Sequence, residues 1–475
     1  LLENNKFNSD SLTAGKSSLE YESKPESETG NIRTVINDLD EKYINKLIII
    51  KGKLYIMATG DTSELEIKAA QNTGIEVMPY EITEEGELLS SNKNLALQEE
   101  NGTLTIPDIV TSIGEGAFSN LEGLKTIIIP GSVRTIGENA FAYNKTLEKV
   151  IMQDGVEEIG AEAFRECSKL ETVEMPNSVI KIGNLAFYYD VNLQNINISS
   201  GITNIQQYTF SDCNSITEIN IPEGIEKISD YVFTGCDNLQ KITIPASLNS
   251  ISTSAFSNCP KLKDVQIDSF NNYFVYVEGI VFNKNKTEMI IILDTAITGN
   301  TFTVPAGITT LGARQLSQYT QINTVNIPSS VTSINPDFIN SNITQVNIYS
   351  DGENESPYEI YNNAIYTKGR ETLVRYFGNE DSVIIEEGVK NIGGVAFRDK
   401  QISSINLPNS LEKIGGQVFS GNGKLTNLSL GANVKDIHQW FIYGSVVTNL
   451  TIDPDNDYYT VEDDILYNKD KTTLI

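Results

Sequence analysis

Hydrophobic and polar positions alternate in short bursts along most of this chain. In Thr126-Ile127-Ile128-Ile129-Pro130 the side chains of Ile127 and Ile129 fall on one face, with Thr126 and Ile128 on the other. That period of two belongs to a strand with one buried face. Pro130 ends it, having no N–H to give to a ladder. Val133 and Ile136 form a second, shorter apolar stretch. Gly137 to Asn144 then reads as a turn or one to two turns of helix, with Ala140 and the bulky Phe141 closing the interior. The whole pattern recurs. Phe118, Phe141, Phe164, Phe187, Phe210, Phe233 and Phe256 stand 23 residues apart each time, and Leu124, Leu147, Leu170, Leu193, Ile216, Leu239 and Leu262 keep the same interval. A unit of 23 residues cannot enclose a core alone, so each must stack on its neighbours as a solenoid, like side chains forming ladders about 4.8 Å apart. The reading predicts on the order of 15 parallel inner strands, one per unit.

Three longer inserts interrupt the period and match one another: Ile280-Val-Phe282-Asn-Lys-Asn-Lys286, Ala364-Ile-Tyr366-Thr-Lys-Gly-Arg370 and Ile465-Leu-Tyr467-Asn-Lys-Asp-Lys471. Each reads as a β-hairpin around a four-residue polar turn, with Asn, Gly or Asp where a left-handed residue is wanted. They occupy about 268–300, 349–380 and 453–475, and the last is cut off at Ile475, which implies that the natural chain runs on. The first hundred residues lack the repeat. Residues 1–30 are polar and read as a weakly ordered lead-in. Residues 31–100 read as a small α/β module: strand from Leu47, turn at Gly52, strand to Met57, a helix opened by the capping box Asp61-Thr-Ser-Glu64 and stopped by Gly74, then the strand Ile75–Met78. Residues 101–475 are the solenoid. The fold class is therefore α/β and strand-dominated, a curved repeat solenoid with a parallel inner sheet.

Charge narrows what such a solenoid could bind. The 475 residues carry 63 acidic and 35 basic side chains, a formal charge of −28, which disfavours nucleic acid and anionic membrane surfaces, since both need clustered Lys and Arg. Apolar content of 39% is enough for a core, and no apolar run approaches the roughly 20 residues of a bilayer span. The chain starts at Leu1 without a methionine, which points to an upstream signal or anchor and a setting outside the cytoplasm. Leu2-Glu-Asn-Asn-Lys6-Phe7 also resembles the segment after the long N-terminal helix of type IV pilin-like proteins.

The repeat, Leu-x-x-Val/Ile-x-Ile-Pro-x-x-Val/Ile-x-x-Ile-Gly-x-x-Ala-Phe-x-x-Cys/Asn, resembles the BspA-like (Treponema-type) leucine-rich repeat of bacterial surface proteins. Ile221-Pro222-Glu-Gly-Ile225-Glu-Lys-Ile228 and Leu407-Pro408-Asn-Ser-Leu411-Glu-Lys-Ile414-Gly415 show it well. The resemblance covers residues 104–475 and implies a leucine-rich-repeat fold, secretion or surface anchoring, and adhesion to host matrix or other cells. The departures are Leu316, Ile339 and Ile442 in place of the Phe, and Gln153, Ser199 and Gly431 in place of the Pro.

Candidate chemistry is sparse. Cys167, Cys213, Cys236 and Cys259 all follow the repeat Phe by three residues. One-rung stacking holds Cβ atoms farther apart than a disulfide prefers, and a ladder does not converge as zinc requires, so these read as free, buried thiols. His438 sits in the slot of Gly114, Gly137, Gly160, Gly312 and Gly415 and reads as a turn occupant; Trp440 and Phe441 beside it read as core, with a small aromatic exposure as the alternative. Asp453-Pro-Asp455-Asn-Asp457 has the opening spacing of a calcium loop, but Tyr458 replaces the sixth-position Gly and Asp464 the twelfth-position Glu, so a turn is favoured. No nucleophile elbow, H-E-x-x-H or Walker loop occurs, and no cofactor or metal is expected. The chain reads as a non-catalytic monomer that contacts an extracellular protein or glycan through outward residues of the inner strands: Thr172 and Glu174, Asn195 and Asn197, Glu218 and Asn220, Lys241 and Thr243, Asp264 and Gln266. The alternatives are a spacer that presents another domain, or a carbohydrate-binding module.

Overall fold

The structure, a computed structural model, describes residues 47–50, 53–57, 76–78, 80–83, 86–91 and 102–474. The lead-in 1–30, with its pilin-like fragment, and the helix expected from Asp61 lie outside the described residues. Two compact units result: Leu1–Ile251 with Asp264–Asn271, and Ser252–Lys263 with Asn272–Ile475.

Each unit is a stretch of solenoid in which every turn has three sides. On the first side lie the strands ending at the repeat proline. The first unit has eight: Thr103–Thr105, Thr126–Ile129, Lys149–Met152, Thr172–Glu174, Asn195–Ile196, Glu218–Asn220, Lys241–Ile244 and Asp264–Ile267. The second has seven, from Thr301–Thr303 to Asn449–Ile452. Paired neighbours run parallel, 23 residues apart in the first unit, as in Lys149↔Thr172 and Val150↔Val173, and 21 to 23 apart in the second, as in Thr324↔Gln345 and Ser382↔Ser404. Alternation does the rest: Ile127, Ile129, Val150 and Val173 point inward and are buried. The second apolar stretch also forms a ladder, of two-residue strands such as Thr135–Ile136 and Glu158–Ile159.

The third side is not helical. Residues two before and two after each phenylalanine from Phe118 to Phe233 adopt positive φ, as in Asn139 (53°) and Tyr143 (64°), Glu162 (55°) and Glu166 (57°), Leu185 (55°) and Tyr189 (62°). A helix cannot contain such residues. Their left-handed conformation aims successive N–H groups at the next turn, so that Asn139, Phe141 and Tyr143 donate to the carbonyls of Ala161, Ala163 and Arg165 at 3.0, 2.7 and 2.8 Å. A third inter-turn ladder thus replaces the bonds a helix would have made internally. Among the described residues the only helical segments are the 3-10 turns Asp294–Ala296 and Pro336–Phe338.

Within the first unit, Phe118, Phe141, Phe164, Phe187, Phe210 and Phe233 form a stacked ring ladder. Centroid spacings rise from 5.1 Å at Phe118–Phe141 to 5.6 Å at Phe210–Phe233. The closest rungs coincide with a glycine column, Gly114 to Gly183, where backbones approach too tightly for a side chain. A Cβ on Gly160 would lie 2.6 Å from the carbonyl carbon of Gly137. Gln206 and Ser229 occupy that column where the rungs are wider.

The inserts have one strand more than the sequence reading expects. Phe274–Val277, Ile280–Asn283 and Met289–Ile292 form an antiparallel meander, as do Tyr358–Tyr361, Ala364–Thr367 and Thr372–Tyr376. Tyr459–Glu462 pairs with Ile465–Asn468 in the same way. Their first turns, Glu278-Gly279, Asn362-Asn363 and Asp463-Asp464, have positive φ at both residues, the type I′ geometry that matches strand twist. In the second turns the left-handed position falls on Lys286, Arg370 and Lys471, not on Asn or Asp, with Gly369 alongside Arg370. Asn283 and Asn468 act instead as braces, their Oδ1 accepting from Thr287 and Glu288, and from Thr472 and Thr473. The third meander strand replaces a strand of the second ladder: Thr372 and Leu373 pair in parallel with Asn391 and Ile392. The hairpin Tyr80–Ile82 and Glu87–Ser91, sequence-assigned to the module 31–100, starts the second ladder of the first unit by pairing on Ser112–Ile113. Leu47–Ile50, Lys53–Met57 and Glu76–Met78 form a separate three-stranded sheet where the sequence places those strands.

One slot differs from the sequence assignment. Phe441 is buried at 1% exposure and Ile442 only partly, so the phenylalanine fills the interior one residue earlier than the period suggests. Phe338 is likewise buried beside Ile339. Trp440, displaced outward, is 54% exposed.

Candidate recognition face

Strand geometry decides which side chains of the first ladder face outward. In the first unit, register puts Lys149, Thr172 and Asn195 in one column, with Ile151 beside Glu174. Glu218, Lys241 and Asp264 form a second column, and Asn220, Thr243 and Gln266 a third. The ten sequence-selected residues do not lie on one sheet. Thr172, Glu174 and Asn195 belong to a five-stranded sheet that ends at Asn195–Ile196, with Asn197 exposed just beyond it. The other six belong to the three-stranded sheet of Glu218–Asn220, Lys241–Ile244 and Asp264–Ile267.

Neighbouring turns satisfy many of these groups. Lys149 Nζ meets Glu174 at 2.6 Å, and Lys241 Nζ meets Glu218 at 2.6 Å. The Lys241 ammonium is held above its ordinary pKa, first by that hydrogen bond. Thr243 Oγ1 donates to Asn220 Oδ1, and Gln266 Nε2 donates to Asp264 at 3.1 Å. Asn220, Thr243 and Gln266 also line a shallow groove of about 380 Å3, with Pro222, Glu223, Pro245 and Asp268. Glu223 is not free to reach a ligand with both oxygens, since it accepts from the amides of Ala246 and Ser247. What the face can offer is a polar, weakly acidic strip of amides and hydroxyls.

The remaining sequence candidates are structural. The four cysteines are buried and none is bridged in a disulfide. Cys167, Cys213 and Cys236 donate through Sγ to the carbonyls of Phe141, Phe187 and Phe210 at 3.2 to 3.3 Å. Burial pushes the Cys167 and Cys213 thiols well up. His438 Nδ1 accepts from Trp440 N at 3.2 Å. In the Asp453–Asp457 stretch, Asp453 accepts from Asp455 N, while Asn456 is fully buried and donates to Gly431 O and Val434 O. Asn271 does the same toward Pro245 and Leu248. An asparagine plugged into the interior makes this stretch a turn. Among the described residues no cluster of three or more His, Cys, Asp or Glu is placed to hold a metal, and no helix is long and apolar enough to cross a membrane.

Sequence reasoning did not single out two buried cations of the second unit. Arg375 donates to Val395 O, and Lys400 donates to Ser341 O at 3.2 Å. Burial first, then the neighbouring Arg375 charge, lowers Lys400 to about 8. The signal was present: Lys400 follows Phe397 by three residues, in the cysteine slot. The carbonyl it reaches lies 59 residues back, on the far side of the intervening meander in sequence.

Parallel ladders at a constant spacing, rungs of leucine, isoleucine and phenylalanine, and a polar outward face define a leucine-rich-repeat solenoid. The chain belongs to the BspA type leucine-rich repeat family, whose pattern matches residues 97–217, 180–303, 295–367 and 375–473. A comparison with curated proteins finds no match. Similar solved structures include a leucine-rich cell surface protein from Faecalibacterium prausnitzii, 21% identical, covering 76% of this chain and 92% of that one with a TM-score of 0.43. A leucine-rich repeat protein from Eubacterium ventriosum is 20% identical, covering 66% and 88%, with a TM-score of 0.42. The pneumococcal vaccine antigen PcpA is 22% identical, covering 80% of each chain, with a TM-score of 0.36.

Proposed function

We propose that this chain is a non-catalytic protein of the bacterial cell surface or its surroundings, which recognises an extracellular protein or glycan through the first face of its first unit. Family membership and the charge of −28 support the class. The observation that carries the site is the groove lined by Asn220, Thr243 and Gln266, with exposed polar columns beside it. A solenoid can vary such positions without disturbing its core, because inward and outward residues alternate along each strand. The spacer reading is favoured by one feature, the internal satisfaction of Lys149 by Glu174 and of Lys241 by Glu218.

A screen against matrix proteins and glycans, followed by replacement of Asn195, Asn197, Glu218 and Asn220 together by alanine, separates the two. The recognition reading expects binding to fall at least about tenfold with an almost unchanged melting temperature, since exposed strand positions add little to the core. Binding that survives this change but disappears on removal of residues 1–100 makes the solenoid a spacer.

A further inference from the structure

Three residues past the repeat phenylalanine, a side chain turns back to bond the preceding turn. Asn144 shows the full arrangement. Its Oδ1 accepts from Leu121 N at 2.7 Å, and its Nδ2 donates to Phe118 O and Phe141 O at 2.9 and 2.8 Å. Asn422 repeats it, accepting from Ile402 N at 3.1 Å and donating to Phe397 O and Phe419 O at 2.8 and 2.9 Å. Asp190 fills the same slot in its own turn and is fully buried. Its Oδ1 accepts from Cys167 N at 2.7 Å, the bond Asn144 makes with Leu121. By the repeat, Oδ2 lies where asparagine has its amide nitrogen, toward the carbonyls of Phe164 and Phe187. It finds no donor. Phe187 O already receives the Cys213 thiol at 3.2 Å.

A carboxylate would set negative oxygen against carbonyl lone pairs in a dry interior, whereas a carboxylic acid carries the donor that the slot requires. Burial outweighs the surrounding groups. The Cys167 amide and the Lys145 ammonium favour the carboxylate, but Lys145 is engaged by Glu166 at 3.0 Å, and Glu166 disfavours a charge on Asp190. Asp212, bonded to Ser211, is another acid, and the flanking Cys167 and Cys213 are held in the thiol form by burial. The slot also sits beside a discontinuity. The first ladder stops at Asn195–Ile196 and resumes at Glu218–Asn220, and the second stops at Lys181–Ile182 and resumes at Asn204–Ile205. The third side continues across it, with Leu185, Phe187 and Tyr189 donating to Gln207 O, Thr209 O and Ser211 O at 3.1, 2.9 and 2.9 Å.

We propose that Asp190 is a neutral carboxylic acid in the folded protein, donating its proton to the Phe164 carbonyl, and that its turn is a pH-sensitive joint which loosens as pH rises. The sign follows from proton uptake. An unfolded Asp loses its proton near pH 3.9, while burial raises the folded pKa well above that. Between those two values the native turn binds one proton more than the open one. Stability is therefore complete below about pH 3.9 and falls about tenfold in the closed-to-open ratio per pH unit above it, until the folded pKa is reached.

Asp190→Asn supplies the missing donor without a titratable group. Hydrogen-exchange protection of Phe187 and Tyr189, corrected for intrinsic rates, should change with pH in the wild type but not in the variant. The variant should gain on the wild type progressively as pH rises above about 4, by up to about tenfold per pH unit until the folded pKa is reached. Equal pH dependence in both proteins overturns the proposal. Infrared spectroscopy of the folded wild type at pH 6 gives a second reading that needs no variant: a protonated-carboxyl band that vanishes on unfolding at the same pH is expected, and its absence overturns the proposal.

Discussion

Phe187→Ala is expected to destabilise the first unit by about 3–5 kcal/mol, through lost transfer energy and the cavity left behind. Phe187 is fully buried, and its ring stacks at 5.3 Å on Phe164 and 5.5 Å on Phe210. Neither neighbour can collapse into the gap, because each is held in its own turn by backbone bonds to the next. Since a turn touches only its neighbours, the loss should be concentrated there. Amide exchange should accelerate most at Phe164 and Phe210, and little at Phe118 or Leu124. Uniform acceleration across the unit would show one cooperative block.

Gly160→Ala should cost roughly 3 kcal/mol, the upper end of the overpacking range. The added methyl would meet only backbone, at 2.6 Å from Gly137 C and 2.7 Å from Glu138 N and Gly137 O, so no side chain can rotate aside. The whole turn would have to move off its neighbour, opening ladders on all three sides. Ser229, in the same column at a wider rung, is the control, and Ser229→Ala should be nearly neutral. Denaturant midpoints of the two variants compare them directly; equal midpoints would mean that the glycine column does not set rung spacing.

The parts of this fold that were legible in the sequence are those fixed by identity at constant spacing. Phe118 to Phe233, the alternating isoleucines and the proline stops follow from packing alone, and packing writes itself into residue type. The third side did not, because its left-handed positions hold Leu185, Tyr189 and Val395, residues with no preference for that conformation; inter-turn bonds impose it. The first meander strands were missed because Phe274–Val277 and Tyr358–Tyr361 carry no period-two burial pattern. The shift from Ile442 to Phe441 shows the interior selecting the larger ring over strict period. On the candidate face, direction was legible from alternation, but the break after Asn195–Ile196 was not, since it depends on backbone pairing that no single residue announces.

Mapping of amide protection in the complex with whichever partner binds most tightly tests the recognition reading directly. It predicts new protection at Glu218–Asn220, Lys241–Thr243 and Asp264–Gln266, extending to Asn195 and Asn197. Protection confined to the third side around Tyr188, Tyr189 and Tyr208, or to residues 47–91, would contradict it.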